Sequence, residues 1–431
     1  MTHQHNYDAY TADMLSVEEA RDEVLDLVKV LDNEEVGLME SIGQVIAEDI
    51  YAELDIPPFQ NSAMDGYAVR HQDIKGASPN RAVTLKVVGS VAAGQMAKVE
   101  LPKGTAIRIM TGAPLPPGAD TVVPFEETDE LIRKKPTGVV DEVSVLAEFP
   151  KGEFVRPAAE DVRKGNLILR SGTVIRPSEI GVLASLGYDS VTVNRRPLIG
   201  ILATGNELAY PGKPLGSGEI YDSNSYSVAA LVKRYGGIPK ILGIAKDNFE
   251  SVDSMLSKGI ATDLLITSAG VSKGDYDIVK DVLAKHGRIT FWSVRMRPAK
   301  PIAFGEISNM DGRKIPLIGL PGNPVSAVVA FEQLARPAIL KMMGKIKLEK
   351  PYVYALLEDP IINTDGRRVY ARAIVNKRNG KYYAKLTGPQ GSNILTSMAK
   401  ANGLAICDEA VNGMKVGDVA KVEMLDWEEV E

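Results

Sequence analysis

Between residues 196 and 345, short apolar runs alternate with segments whose apolar residues recur at helical spacing. After the run that ends at Thr267, for example, Ile278, Val279 and Val282 share one face of a predicted helix. Because strands that alternate with helices build parallel sheets covered on both faces, this rhythm predicts a doubly wound parallel-sheet domain. The predicted strands are Leu198–Ala203, Ile241–Ile244, Leu264–Thr267, Thr290–Val294 and Pro316–Leu320.

The rest of the chain is dominated by short β-rich runs separated by Gly and Pro turns. Ser16 and Glu19 form a capping box ahead of a helical stripe, and a further short helix is predicted over 41–48. In the C-terminal part the predicted strands are Tyr352–Leu357, Val369–Val375, Tyr382–Leu386, Gly403–Cys407 and Val419–Glu423. The predicted fold is therefore α/β and multidomain, with five segments: an N-terminal helical segment (1–50) that pairs with a linker segment (163–195), a β-rich second domain (51–162), the doubly wound domain (196–345) and a C-terminal β-barrel (346–431).

Polar loops follow the predicted strands of the doubly wound domain. Ligands of such sheets bind beyond the carboxyl ends of the strands, so these loops predict one ligand-binding edge. The loop Ser268–Asp275 carries two glycines ahead of a helix, and its backbone N–H groups suit a phosphate or another oxyanion, although ordinary strand–helix turns have the same composition. It matches neither a P-loop nor a dinucleotide-binding fingerprint. The other loops at this edge are Thr204–Glu207, the turn at Asp247, Arg297–Lys300 and Pro321–Ser326.

Composition and charge narrow the classes of function. The formal net charge of −6 argues against nucleic acid or an anionic membrane as the main partner. One cysteine, Cys407, and four dispersed histidines leave no Cys/His zinc site, so a metal would be held by carboxylates and would be a hard ion such as Mg²⁺. No apolar run approaches the roughly 20 residues of a membrane span and no signal peptide opens the chain, so a cytoplasmic protein is expected.

Five motifs, in matching order along the chain, resemble the molybdopterin molybdenumtransferase (MoeA) family, which includes the gephyrin E domain. The resemblance runs from about residue 14 to residue 425, and the first motif, NSAMDGYAV, is long and specific. The motifs lie at Asn61–Val69, Ile109–Pro114, Thr204–Leu208, Gly270–Gly274 and Leu320–Ser326.

The resemblance implies an enzyme that inserts molybdate, or tungstate, into adenylylated molybdopterin with Mg²⁺ and releases AMP. It implies a homodimer of elongated four-part subunits, in which the β-rich second domain of one subunit closes the molybdopterin-binding cleft of the other. The molybdopterin adenylyltransferase is a further expected partner. The alternatives are a non-catalytic, gephyrin-like scaffold and adenylyltransferase-type nucleotide chemistry. The acids that the chain retains favour the enzyme over the scaffold, and residues 50–190 and 346–431 have no place in a stand-alone adenylyltransferase.

Position by position, the resemblance assigns catalytic roles to six residues and binding roles to two prolines. The catalytic candidates are Asp65, Thr111, Asp161, Glu207, Asp247 and Asp275, and the prolines are Pro321 and Pro324. Molybdate and phosphates need cationic, hydroxyl and N–H ligands. That chemistry makes Gly270, Ser272, Gly274, Arg297, Lys300, Asn323 and Ser326 the other cofactor-binding candidates. The candidate Mg²⁺ ligands are Asp247, Asp275 and Glu207.

Each candidate also has a purely structural interpretation. Asp65 with Gly66 is a common turn dipeptide, Asp161 suits a solvated loop, and Arg297 and Lys300 suit salt bridges to Glu306 or Asp311.

Two alanines depart from the family pattern, because Ala269 and Ala299 stand where glycine is usual. A methyl group disfavours positive φ and prevents the closest approach of an anion to the backbone. Both alanines are therefore expected to avoid positive φ and to alter how the oxyanion is held.

Overall fold

The computed structural model describes residues 14–133, 140–259, 261–268, 287–308 and 313–426. The chain forms two compact units. The first comprises residues 1–36, 41–47 and 192–431, and the second comprises residues 37–40 and 48–191. Within the described ranges, no helix has the length and apolar character needed to cross a membrane.

The N-terminal helix α1 (Val17–Asp26) begins at the capping box that the sequence predicts. The Ser16 hydroxyl accepts the backbone N–H of Glu19 at 3.1 Å, and the Ser16 N–H donates to Glu19 Oε2 at 2.7 Å. The first unit also contains most of strand β1 (Asn33–Gly37). The helix predicted over 41–48 is wrong: residues 41–44 form turns, in which Gly43 adopts φ +80° and breaks any helical run, and Ile46 then forms a β-bridge to Val193.

The second unit is built on a five-stranded sheet in the order β7-β4-β6-β5-β8. Buried residues cover both of its faces: Tyr67 and Val69 contribute to one cluster, and Ala68 and Ile107 to the other. Single-turn 3₁₀ helices lie at His71–Ile74 and Phe125–Glu127. The helices and strands from residue 50 to residue 194 are β2 (Ile50–Tyr51), β3 (Asn61–Ser62), β4 (Gly66–Val69), β5 (Val83–Val91), β6 (Thr105–Ile109), β7 (Thr121–Pro124), α2 (Glu130–Arg133), β8 (Glu142–Val145), β9 (Val155–Arg156), β10 (Leu167–Leu169), α3 (Pro177–Ser185) and β11 (Ser190–Asn194).

The α/β part of the first unit contains a six-stranded sheet in the order β15-β12-β16-β20-β19-β17. Four neighbouring strands, β15, β12, β16 and β20, are parallel, as the sequence predicts. Alternate side chains enter different cores: Ile201 and Ile266 face one cluster, whereas Leu202 and Leu265 face the cluster that includes Val252 of α5. The elements are β12 (Leu198–Thr204), β13 (Leu208–Ala209), β14 (Ile220–Tyr221), α4 (Asn224–Arg234), β15 (Ile238–Ala245), α5 (Phe249–Gly259), β16 (Leu264–Ser268), β17 (Gly287–Ser293), β18 (Met296–Arg297), β19 (Pro301–Ser308), β20 (Lys314–Leu320), α6 (Pro324–Ala330) and α7 (Arg336–Met342).

Two strands of this sheet differ from the predicted alternation of strands and helices. Strand β17 and the unpredicted strand β19 form an antiparallel hairpin, and β19 also runs antiparallel to β20. The connection between them has only seven residues, 294–300, which is too short for a crossover helix. Because β17 runs in the same direction as β20, the loop that carries Arg297 and Lys300 still lies at the carboxyl edge of the parallel strands.

A π-helical turn, Phe331–Ala335, joins α6 to α7. Pro337 has no N–H to donate to the carbonyl of Gln333, four residues earlier. The Arg21 side chain of α1 donates to that carbonyl instead, from Nε at 3.2 Å. The interrupted helix therefore provides a polar contact that fixes α1 against it.

The C-terminal part forms a closed barrel of five strands, β23, β24, β21, β27 and β25, with β25 pairing back to β23. Each of the five strands overlaps the one that the sequence predicts. Small and branched side chains such as Ala373 and Val422 fill the interior. The elements are β21 (Tyr352–Leu357), β22 (Ile361–Ile362), β23 (Arg368–Arg378), β24 (Lys381–Leu386), α8 (Thr396–Lys400), β25 (Gly403–Cys407), β26 (Gly413–Met414) and β27 (Val419–Met424).

Candidate functional site

A cleft of about 880 Å³ lies at the carboxyl edge of the parallel strands, within the first unit. One wall comes from the strand ends of the α/β part, and the other comes from the C-terminal barrel through Arg367 and the loop that carries Gln390 and Ser392. Seven residues predicted from the sequence line it: Glu207, Arg297, Lys300, Pro321, Asn323, Pro324 and Ser326. The predicted residues Gly270, Ser272, Gly274 and Asp275, and the departure at Ala269, lie outside the described residues.

Asn224, the first residue of α4, cross-links two strand ends at the floor of this cleft. Its Nδ2 donates to Ser268 Oγ at 2.8 Å and to the Gly322 carbonyl at 2.7 Å. Because a carbonyl can only accept, the Gly322 contact fixes which side of the amide carries nitrogen. The cap-like position of Asn224 in the sequence gave no signal of this second role.

The barrel joins the cleft close to Asn323 and Pro324. The N–H of Val325, in the first turn of α6, donates to the Ser392 carbonyl at 3.1 Å. Strand β18 pairs in parallel with β23, so that Arg297 is opposite Val369. The two contacts place the barrel loop and Arg367 beside the sheet edge.

Basic side chains gather at the end of the cleft near the β17–β19 hairpin. Arg297 donates to the Ile362 carbonyl, and its Nη1 lies 3.7 Å from Asp365 Oδ2. Arg367 also binds Asp365, with Nε at 3.0 Å. Burial raises the pKa of Asp365, but the hydrogen bond and charge of Arg367, together with Arg297, bring it below its ordinary value. Two guanidinium groups thus share one carboxylate, which leaves net positive charge for an anionic ligand.

The salt-bridge alternative predicted for these basic residues involved Glu306 or Asp311. The Glu306 carboxylate accepts Lys314 Nζ at 2.7 Å. The carboxylate that lies near Arg297 is Asp365, and Asp311 is outside the described residues.

The acids Glu207 and Asp247 lie on two neighbouring exposed loops. Asn206 joins these loops: its N–H donates to Asp247 Oδ2 at 3.1 Å, and the N–H of Asp247 donates to Asn206 Oδ1 at 3.2 Å. The exposed Glu207 carboxylate folds back over the loop, and a Cβ on Gly205 would meet it at 2.5 Å and displace it. Among the residues that the structure describes, no group of three or more His, Cys, Asp or Glu side chains is placed to hold a metal.

In the second unit, Asp65 and Thr111 are in direct contact. Asp65 Oδ1 accepts the backbone N–H of Thr111 at 2.7 Å and its hydroxyl at 2.8 Å. The hydrogen bond from the Thr111 N–H, and then the one from its hydroxyl, hold the pKa of Asp65 below its ordinary value. Asp65 is therefore a carboxylate at neutral pH.

The structure does not place Gly66 in a turn. Gly66 begins β4, and a Cβ there would meet the Val123 carbonyl at 2.0 Å, so close strand packing requires the glycine. The turn interpretation therefore applies only to Asp65, which lies in the bend at 63–65, and not to Gly66. Asp161 lies in an exposed loop, where its N–H donates to the Ile56 carbonyl at 3.0 Å.

Ala299 contradicts the expectation that its methyl group avoids positive φ. It is buried in the cleft wall between Arg297 and Lys300, with φ +84°. That conformation costs a non-glycine residue about 1–2 kcal/mol. The surrounding contacts, including the core cluster that Ala299 joins, therefore hold the backbone in the form that glycine would adopt freely.

Replacing Ala299 by glycine is expected to change the free energy of unfolding by no more than about 1 kcal/mol. The relieved backbone strain offsets the lost methyl burial and the greater freedom of glycine in the unfolded chain. Ala299→Val adds a β-branched side chain at the same φ and in a packed wall. This substitution is expected to lower the free energy of unfolding by about 2–4 kcal/mol. Urea unfolding measures both. An equal loss in the two variants would show that methyl packing, and not φ, dominates at this position.

Comparisons with known proteins agree on one family along most of the chain. Residues 15–187 match the MoeA N-terminal region (domains I and II), 200–341 match a probable molybdopterin-binding domain, and 354–425 match the MoeA C-terminal region (domain IV). Molybdopterin molybdenumtransferase 2 of Mycobacterium tuberculosis is 36% identical over 95% of this chain and 99% of its own length. The chain belongs to the molybdopterin molybdenumtransferase family. It is therefore a transferase enzyme of molybdenum cofactor biosynthesis.

Other members of the family show the same extent of similarity. The molybdopterin molybdenumtransferase of Haemophilus influenzae is 35% identical over 95% of this chain and 98% of its own length. Two crystal structures of the molybdopterin biosynthesis MoeA protein of Pyrococcus horikoshii align with TM-scores of 0.79 and 0.76, at 30% and 29% identity. They cover 96% and 95% of this chain and all of their own chains. The multidomain fold predicted from the sequence, including the C-terminal barrel, is thus confirmed.

Several cleft residues escaped the sequence analysis. Arg367, Gln390 and Ser392 come from the barrel, more than 40 residues beyond the last predicted loop of the sheet edge. No local pattern marks them, because only tertiary packing brings them to the cleft. Asp222 precedes a run of apolar residues at helical spacing and suits a helix cap, and nothing in the sequence indicates that it is buried and lines the cleft.

Proposed function

We propose that this enzyme inserts molybdate, or tungstate, into adenylylated molybdopterin and releases AMP. The observation that supports the proposal is the cleft at the carboxyl edge of the sheet, with Arg297, Lys300 and Arg367 at one end and Glu207 near the other. Molybdate is a tetrahedral dianion, and guanidinium and ammonium groups bind such anions by charge-assisted hydrogen bonds. The match of 200–341 to a probable molybdopterin-binding domain supports the same substrate.

The donor set near the cleft suits Mg²⁺. Glu207 and Asp247 offer exposed carboxylate oxygens on loops that Asn206 ties together, and Asp275 follows in sequence from a third loop. Hard divalent cations prefer oxygen ligands and commonly combine one or two carboxylates with substrate phosphates. When bound, Mg²⁺ would neutralise phosphate charge during cleavage of the anhydride. Without a cation, these carboxylates would repel the anionic substrate.

The remaining parts of the proposal come from the family resemblance. The enzyme acts as a cytoplasmic homodimer, receives its substrate from the molybdopterin adenylyltransferase, and uses Asp65, Thr111 and Asp161 of the second unit at the cleft of the partner subunit. The division into segments 1–50, 51–162, 163–195, 196–345 and 346–431 stays a prediction. A non-catalytic scaffold and adenylyltransferase-type chemistry are the alternatives.

The experiment that tests this function measures AMP released from adenylylated molybdopterin. We expect release to require added molybdate and a divalent cation, and to stop in excess chelator. Arg297→Met, at the basic end of the cleft, is expected to weaken molybdate binding about tenfold or more. The matched control is Arg378→Met, on an exposed part of β23, which should leave molybdate binding unchanged. Molybdate-independent AMP release would instead indicate nucleotide chemistry, and full release in chelator would remove the role of the carboxylates.

A further inference from the structure

Asp222 is a buried carboxylate in the wall of the cleft, with 3% of its surface exposed. It lies between β14 and α4, where its backbone N–H donates to the Ala209 carbonyl at 3.0 Å. Its Oδ1 accepts the N–H of Ser225 at 3.0 Å, an N-cap type of bond. Within the described part of the chain, no cation pairs with Asp222 and no donor reaches its Oδ2. Oδ2 is not fully enclosed by protein, so it opens onto the cleft and is left for a donor that a ligand can supply.

The surroundings of Asp222 suit a flat, partly apolar group. Leu208 and Ile220 line the same part of the cleft and offer apolar surface. Asn224, two residues later, is fixed by its bonds to Ser268 and Gly322. The Asp222 carboxylate therefore lies two residues before a side chain that is bonded to the ends of two strands.

The two ends of the cleft carry opposite charge. Asp222 belongs to the crossover from β12 to β15, at one edge of the six-stranded sheet, whereas Arg297 and Lys300 belong to the β17–β19 hairpin at the opposite edge. A ligand that fits both ends presents N–H donors to the first and negative charge to the second.

We propose that Asp222 binds the pyrimidine edge of the pterin. The 2-amino-4-oxopyrimidine ring of a pterin presents its ring N–H and an amino N–H side by side. Oδ2 and the remaining lone pair of Oδ1 can accept these two donors together. Adenine presents a donor beside an acceptor, an edge that an amide matches better than a carboxylate. This inference rests on the proposed function and adds to it which end of the cleft binds the pterin.

The Asp222→Asn variant distinguishes the proposed binding of the pterin from the capping of α4. Asparagine keeps Oδ1 and remains a good N-cap, but it replaces Oδ2 by an NH₂ donor that faces the donors of the pterin. Metal-free molybdopterin, prepared anaerobically, is the probe in a direct binding titration. We expect its Kd to rise about 10- to 100-fold, whereas the Kd for molybdate and the melting temperature stay the same. Asp222→Ser, which also preserves a cap, is expected to weaken molybdopterin binding similarly.

Glu19→Gln is the matched control, because Glu19 is a capping acid of α1 and does not line the cleft. It should leave molybdopterin binding unchanged. Wild-type affinity in both Asp222 variants would overturn the inference while the proposed function stands. If the variants lose affinity for AMP but retain affinity for molybdopterin, the Asp222 carboxylate binds adenine and the inference is wrong. Failure of the wild-type protein to bind molybdopterin would overturn the proposed function and this inference together.

Discussion

Replacing Lys350 by methionine is expected to lower the free energy of unfolding by about 3–5 kcal/mol. Lys350 Nζ lies 2.7 Å from Glu332 Oε2 and 2.9 Å from the Tyr235 hydroxyl, and the Lys350 and Glu332 side chains are only 5% and 2% exposed. The substitution would leave the Glu332 carboxylate buried with Tyr235 as its remaining hydrogen-bond donor. Because Glu332 belongs to the π-helical turn and Lys350 precedes the barrel, the loss would loosen the attachment of the barrel to the α/β part.

Lys314→Met is the matched control. Lys314 lies 2.7 Å from Glu306, the same distance as in the buried pair, but its side chain is 66% exposed. We expect Lys314→Met to lower the free energy of unfolding by less than about 1 kcal/mol. The double variant Lys350→Met/Glu332→Gln should recover much of the loss, since no unpaired charge remains. Burial lowers the pKa of Lys350 despite the opposite effect of Glu332, which agrees with a pair whose desolvation is incompletely offset. Equal losses for Lys350→Met and Lys314→Met in urea unfolding would contradict this account.

Local patterns predicted most of the fold. Short β-rich runs separated by turns predicted all five barrel strands, and the capping box predicted the start of α1. These features depend on neighbours within a few residues, so a single sequence contains them. Family motifs then led to the residues at the strand ends, because the motifs cover the loops of the sheet edge.

Features that depend on distant partners could not be predicted. The antiparallel strand β19 is apolar like its parallel neighbours, and only pairing distinguishes it. Ala299 was expected to avoid positive φ, but the packed wall imposes φ +84° at a cost that local propensity cannot reveal. Asp222 resembles any helix cap in the sequence. Its burial and missing partner appear only when the cleft is assembled.

Mixing two inactive variants is expected to restore activity, if the site is shared between subunits. Asp65 lies in the second unit and Glu207 in the first, and the resemblance implies that they meet across a two-fold dimer. Asp65→Asn and Glu207→Gln should each lose about 100-fold or more in molybdate-dependent AMP release. After subunit exchange, a mixed dimer contains one cleft with intact Glu207 that faces an intact Asp65, and one site with both defects. With half of the dimers mixed, activity should return to about a quarter of the wild-type value.

The control mixture combines Asp65→Asn with Thr111→Val. These two residues share one hydrogen-bonded pair in the second unit, so every site in their mixed dimer carries a defect from the covering subunit. No recovery is expected, which separates complementation from a general stabilisation of dimers. Recovery should rise with the time allowed for exchange and should follow the fraction of mixed dimers. If exchange is demonstrated but Asp65→Asn and Glu207→Gln do not rescue each other, both residues serve a site within one subunit, and the shared-site proposal is wrong.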